Sequence, residues 1–201
     1  NIKSSIEEKN KEEDNSFKDS INIYISGIDT YGSIDKVSRS DVNIIMSIKK
    51  KKKKILLTTI PRDTYVQLHG TNGPKDKLTH AGIYGINMSV TTLEDFLGID
   101  IDYYAVINND LLIQMVDVIG GVEFDVPIDM DYDDPTQDLH IHLSKGMQKI
   151  DGEKAEQLLR FRHNNDNTTY PEEYGGNDYG RMRTQREFIT ETLKQSMSIK
   201  N

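Results

Sequence analysis

Three short apolar runs, rich in β-branched residues and set apart by strongly polar stretches, constrain this chain most. The first, Ile21 to Ile28, opens with strict alternation, Ile21-Asn22-Ile23-Tyr24-Ile25; Val42 to Ile48 and Ile55 to Ile60 follow. Such runs predict strands of a sheet. Between the last two lies an unbroken lysine run, Lys49 to Lys54, which predicts a hairpin with a solvated turn. Attraction of these lysines to an anionic membrane surface, about 1 kcal/mol for each one close to it, stands beside that reading.

The strand ends carry the residues with chemistry. Gly27-Ile28-Asp29 closes the first strand, Ser38-Arg39-Ser40-Asp41 leads into the second, and Ile60-Pro61-Arg62-Asp63-Thr64 closes the third, where Pro61 stops ladder pairing. A strand end holds loop residues rigidly at the rim of a sheet, where ligand sites form. Carboxylates supply hard oxygen ligands for a divalent cation, and a guanidinium supplies paired donors for phosphate. Turn caps and surface ion pairs are the structural alternative for each group taken alone.

Downstream the period changes. Ala81 to Leu97 carries Ile83, Ile86, Val90, Leu93 and Leu97 at helical spacing and stops at Gly98, with Lys77 and His80 just before it. The stripe suits either a packed core or the wall of an apolar channel. Asp102 to Ile107 reads as a strand. Asn108 or Asn109 then caps a helix bearing Leu112, Met115, Val116 and Ile119, ended by Gly120-Gly121, and Val122 to Val126 is again a strand. Strand, helix, strand in this order predicts an α/β layer structure.

Asp129 to Asp134 is expected to be an acidic solvated turn, with a calcium site as the alternative. His140 and His142 share one face of a predicted strand, Leu139 to Leu143; with no acidic third ligand evident, they are expected to be surface histidines. Asp151 caps a short helix ending in Arg160-Phe161-Arg162-His163, and in extended backbone Arg160 and Arg162 would point the same way. His163 to Gly180 reads as a long loop. A terminal helix follows through Met197, with Arg181 and Gln185 on one face and Met182, Ile189 and Leu193 on the buried side.

The 201 residues fit one domain. The division expected is a polar tail over 1–18 and a folded domain over 19–201. No cysteine is present, which excludes disulfides, thiolate metal sites and cysteine nucleophiles. A net charge of −8 argues against a nucleic-acid partner. No apolar run reaches the roughly 18 residues a membrane span needs. No phosphate-binding Gly-rich loop, Gly-x-Ser-x-Gly or His-Glu-x-x-His motif occurs, so covalent serine chemistry has no local support. What remains is Asp29, Arg39, Asp41, Arg62, Arg160, Arg162, Asp178, Arg181 and Gln185. So many arginines repel one another unless a polyanion neutralises them, and arginine is the residue that holds phosphate with geometry.

Taken in order, these segments resemble the LytR-CpsA-Psr family of cell-envelope phosphotransferases. The resemblance rests on Gly27-Ile28-Asp29, Ser38-Arg39-Ser40-Asp41, Ile60-Pro61-Arg62-Asp63, Lys77-Leu78-Thr79-His80-Ala81, Gly120-Gly121-Val122, Gly152-Glu153-Lys154-Ala155, Arg160-Phe161-Arg162 and Asp178-Tyr179-Gly180-Arg181. It spans Ile21 to about Met197. The family's arginine directly before Gln185 is replaced by Thr184, with Arg183 one place earlier; one residue turns a helical side chain by about 100°.

The resemblance implies a single-domain α-β-α sandwich around a mixed central sheet, with an apolar lipid pocket. It implies a magnesium-dependent (or manganese-dependent) enzyme that moves a phosphoglycopolymer, such as wall teichoic acid or capsular polysaccharide, from a polyprenyl-pyrophosphate carrier to peptidoglycan. Asp29 and Asp41 would be the metal acids. Arg39, Arg62, Lys77, Arg160, Arg162, Arg181 and Gln185 would bind the pyrophosphate. Asp178 would act as base for the acceptor hydroxyl, with Arg62 and Arg181 beside the reacting phosphate. Ile83, Ile86, Val90, Leu93, Leu97, Leu112, Met115 and Val116 are the candidates to line the lipid pocket. It also implies an anchor helix upstream of Asn1 and a site outside the membrane of a bacterium, most naturally a Gram-positive one. Hydrolysis of the carrier pyrophosphate and a non-catalytic lipid-carrier-binding or regulatory module are the competing readings.

Overall fold

The computed structural model describes residues 19–34 and 38–198; the expected polar tail over 1–18 lies outside them. The chain divides into two compact units, with the boundary between Asn108 and Asn109.

In the first unit the three apolar runs form strands β1 (Ser20–Gly27), β2 (Val42–Lys49) and β3 (Lys54–Thr59). Two short strands, β4 (Tyr65–Val66) and β5 (Asp76–Lys77), come next, then helices α1 (Leu78–Ala81) and α2 (Ile86–Leu97) and strand β6 (Tyr103–Ile107). The sheet order is β3-β2-β1-β6. The first three strands pair antiparallel, whereas β6 runs parallel to β1. The lysine run is the β2–β3 hairpin turn, with Lys53 in the left-handed region at φ 48°.

Tyr24, Ile45, Ile60, Val90 and Leu93 share one buried core. A helix the length of α2 is marginal in water. Burial of Val90 and Leu93, about 1.5–3 kcal/mol for each fully covered side chain, holds it instead. The helix expected over 81–97 is not continuous. Gly85 sits at φ 100°, which no helix contains, and it separates a 3₁₀ turn, Gly82–Tyr84, from α2. Gly82 is required for a different reason: a Cβ there would stand 2.4 Å from the Ser38 carbonyl oxygen, so this turn lies directly against the segment that carries Arg39.

The second unit holds α3 (Asn109–Val118), β7 (Val122–Val126), β8 (Met130–Asp134), β9 (Leu139–Leu143), β10 (Gly146–Ile150), α4 (Gly152–Arg160) and α5 (Gly176–Ser198). β7 pairs with β10, and β8 with β9, both antiparallel. Alternate residues Val122, Phe124, Val126, Leu139, Ile141 and Leu143 turn into one core with Leu158, Phe161 and Phe188. Phe124 and Phe188 meet edge to face at 5.4 Å. Asp151 caps α4 as expected, accepting from the Lys154 amide at 2.9 Å.

The acidic turn expected over Asp129 to Asp134 is instead strand β8. Its acids alternate with Met130 and Tyr132, and Met130 is buried; the acidic composition obscured the alternation. α5 also turns differently from expectation. Arg181, Thr184, Gln185 and Phe188 carry its buried side chains, whereas Met182, Ile189 and Leu193 are half-buried. Several spacings fit a helix this polar, and packing on β7 selects the one centred on Phe188. Among the described residues no helix is long and apolar enough to cross a membrane.

Candidate active site

In the first unit, strand register assembles the site. β1 and β2 pair Gly27 with Val42, and the Asp41 amide donates to the Gly27 carbonyl at 2.9 Å. Asp29 and Asp41 therefore leave neighbouring strands at the same end of the sheet. β2 and β3 pair Ile44 with Thr59, and the Ile60 amide donates to the Asn43 carbonyl at 2.9 Å. Continuing that register brings Arg62 opposite Asp41. Arg62 Nη1 donates to Asp41 Oδ1 at 2.6 Å, with both side chains about one-third exposed. Asp29 and Arg39 are exposed.

A second group adjoins it. Asp63 lies 3.6 Å from Arg62 Nε and accepts from Lys77 Nζ at 2.6 Å. β4 and β5 pair Tyr65 with Lys77, and the Thr79 amide donates to the Arg62 carbonyl at 2.9 Å, so Lys77 is held by backbone on both sides. Asp76 pairs with His80 at 2.8 Å. Asp63, in the strand-end Arg62-Asp63 pair but outside the expected metal and phosphate ligands, joins Arg62 to Lys77.

The Lys77 hydrogen bond, ahead of the nearby positive charges, holds the Asp63 carboxyl below the usual carboxylate range, against a smaller opposing effect of burial. A depressed acid contributes stability above its unfolded pKa and loses it as pH falls through the folded value. Carboxyl NMR titration should therefore place the Asp63 midpoint below 3.8, and Lys77→Ala should raise it. An unchanged midpoint in that variant would discard the Lys77 contact as the cause.

The second unit gathers the other arginines at the end of α4 and the start of α5. Arg160 is the last residue of α4, is mostly buried, and donates to Glu156 Oε1 at 3.0 Å. Phe161 then breaks the helix at ψ 133°, and Arg162 is exposed. The two arginines thus do not share an extended segment. Gln185 Nε2 donates to the Leu159 carbonyl at 3.1 Å, satisfying one of the carbonyls that a helix leaves open in its last turn. That bond fixes α5 against the α4 terminus.

Arg181 is buried and stands 3.7 Å from Asp178, whose side chain is exposed in the first turn of α5. The loop expected over His163 to Gly180 is thus shorter, for α5 begins at Gly176 and a 3₁₀ turn, Glu172–Tyr174, precedes it. Thr184 is fully buried and bonds back to the Gly180 carbonyl. Arg183 turns away from it, 4.2 Å above the Tyr174 ring and 2.8 Å from Glu187. Tyr174 also donates to Glu187 at 2.9 Å, so Arg183 works as a clamp on the segment before α5.

Of the apolar residues singled out, Ile86, Val90, Leu93 and Leu97 pack in or against the first unit's core, and Val116 and Leu112 in or against the second's. Ile83 and Met115 are exposed.

The fold and these two groups describe an α/β protein whose strand and helix ends present arginines beside carboxylates, equipment suited to phosphate. The chain belongs to the LytR-CpsA-Psr family: the model described as LytR_cpsA_psr family matches residues 1–201. It is 33% identical over 180 residues to a polyisoprenyl-teichoic acid–peptidoglycan teichoic acid transferase, TagU, of Bacillus cereus (strain AH820), covering 89% of this chain and 54% of that protein. It therefore spans about half the length of that relative. Its fold matches the crystal structure of B. subtilis TagV with a TM-score of 0.73 at 30% identity, over 89% of this chain and 65% of that one. A LytR-CPS2A-psr family protein, YwtF (TagT), solved with octaprenyl pyrophosphate lipid bound, matches with a TM-score of 0.65 at 27% identity, over 90% of this chain and 66% of that one.

Proposed function

We propose that residues 19–201 form the catalytic domain of an enzyme that transfers a phosphoglycopolymer from a polyprenyl-pyrophosphate carrier to peptidoglycan, at the outer face of a bacterial membrane. The observation that carries this reading is the Asp41–Arg62 pair at 2.6 Å at the strand end that also bears Asp29. It couples a phosphate-directed guanidinium to a cation-directed carboxylate. The lipid-bound relative and the teichoic acid transferase similarity support the donor and the acceptor.

Asp29 and Asp41 fit a hard divalent cation, since both are oxygen donors at adjacent strand ends and neither is buried. They would hold Mg2+ (or Mn2+), which when bound neutralises charge on a pyrophosphate. Arg39, Arg62 and Lys77, and in the second unit Arg160, Arg162, Arg181 and Gln185, bind phosphate oxygens. The acceptor sugar hydroxyl attacks the phosphorus attached to the polymer. A new P–O bond forms as the bond to the polyprenyl phosphate breaks. Asp178, exposed and hence reachable by a sugar, takes the hydroxyl proton. Ile86 and Leu97 on α2, half-buried, are proposed to face the polyprenyl chain.

The test is release of polyprenyl phosphate from a pyrophosphate-linked donor with added Mg2+, with and without an acceptor. Arg62→Lys keeps the charge but loses the fork and should lower turnover by about 10²-fold or more. If lysine substitutes freely, the bidentate role of Arg62 is wrong. Release without acceptor would make the enzyme a hydrolase, and binding without release would make it a carrier-binding module.

A further inference from the structure

We propose that the β8–β9 hairpin is a transition-metal site, with Asp133, His140 and His142 as its ligands. Register makes it: Asp133 pairs with His140 and Asp131 with His142 across the two strands. All four side chains stand on the exposed face, opposite the buried Met130, Leu139, Ile141 and Leu143. One ligand atom from each of Asp133, His140 and His142 lies within 4.8 Å of the others. A tetrahedral zinc ion needs ligand atoms about 3.3 Å apart, given bonds near 2.0–2.1 Å. Small side-chain rotations close that difference.

The outer partners are also in place. His142 Nδ1 is 2.8 Å from Asp131 Oδ1, and its Nε2 is 3.4 Å from Asp133 Oδ1. With the Nδ1 proton donated to Asp131, the neutral ring presents its Nε2 lone pair to a carboxylate oxygen. A metal ion between those two lone pairs would bind both. His140 reverses the two nitrogens: its Nδ1 lies on Asp133 and would be the ligating atom, and its Nε2 stands 3.6 Å from Asp138. A carboxylate behind each ligating imidazole is how proteins orient histidines for zinc. Three acids face two rings, so the site without a cation carries excess negative charge.

Strand β8 is fixed from its other edge as well. The Asp131 and Asp133 amides each donate at 2.7 Å to the side chains of Asn164 and Asn165. The Asn165 amide group donates back to the Asp133 carbonyl at 3.1 Å. The ligands therefore stand on a backbone held from both sides, and imidazole with carboxylate suits zinc among the divalent ions. Three protein ligands leave a fourth position for water or an outside group.

The experiment is isothermal titration of the chain with ZnCl2 at neutral pH in the Asp41→Ala background, which removes the proposed catalytic cation site. One zinc per chain is expected, with the His140 and His142 ring resonances shifted in NMR spectra. His140→Gln and His142→Gln should each weaken binding more than tenfold, and Asp131→Asn by about tenfold. All three residues are exposed, so circular dichroism should stay unchanged. Zinc binding that survives the double histidine variant overturns the proposal. So does the absence of zinc binding, for the cluster is then a set of cross-strand ion pairs only.

Discussion

Asp41→Ala is expected to lower donor turnover by about 10²–10³-fold, the usual cost of removing one preorganised charged group from a reacting centre. Stability should fall by less than about 1 kcal/mol, because the Asp41–Arg62 pair is about one-third exposed and such pairs contribute little. The two effects separate cleanly. A kinetic loss with an unmoved Tm assigns Asp41 to chemistry. The variant also removes the 2.6 Å contact that orients Arg62, so raising the Mg2+ concentration should restore little of the rate. Full magnesium-dependent turnover in Asp41→Ala would remove Asp41 from the mechanism.

Gly180→Ala should cost both stability and activity, against what helix propensity alone predicts. Alanine favours a helix over glycine by about 0.8–1 kcal/mol. A Cβ at Gly180, however, would stand 2.5 Å from Tyr170 Cβ and 2.6 Å from Cγ. Tyr170 cannot swing aside. It is 2% exposed, edge to face with Phe161 at 5.6 Å and stacked on Tyr174. Overpacking of this kind costs about 1–3 kcal/mol, which outweighs the propensity gain. Relief requires α5 to shift at the turn carrying Asp178 and Arg181. A displacement of about 1 Å in a positioned group is enough for a roughly 10²-fold loss of rate. Thermal unfolding and steady-state turnover check the two parts. An unchanged or raised Tm would mean that Tyr170 yields, and would remove the close approach as the reason glycine stands in Asp178-Tyr179-Gly180-Arg181.

Local pattern in the sequence determined the strands β1, β2 and β3, the lysine hairpin, the Asp151 cap and the helical character of α2, α3 and α5. Each depends on a period or on a residue within one turn of its partner, which the chain carries in order. The likeness of spaced short motifs to one family was legible in the same way, since motif order survives where single residues do not. Only the tertiary structure decided the rest. Arg62 meets Asp41 because the antiparallel β2–β3 register brings residues 21 apart in sequence to one strand end. Arg160 is helical and Arg162 is not, because Phe161 turns into the second core. The buried face of α5 runs through Arg181, Thr184, Gln185 and Phe188 because Phe188 packs on Phe124, a choice that the polar spacing of the helix leaves open. Asp133 stands with His140 and His142 because the acidic stretch is a strand paired in register with β9. Contacts set by register and packing join residues far apart in the chain, and no local period encodes them.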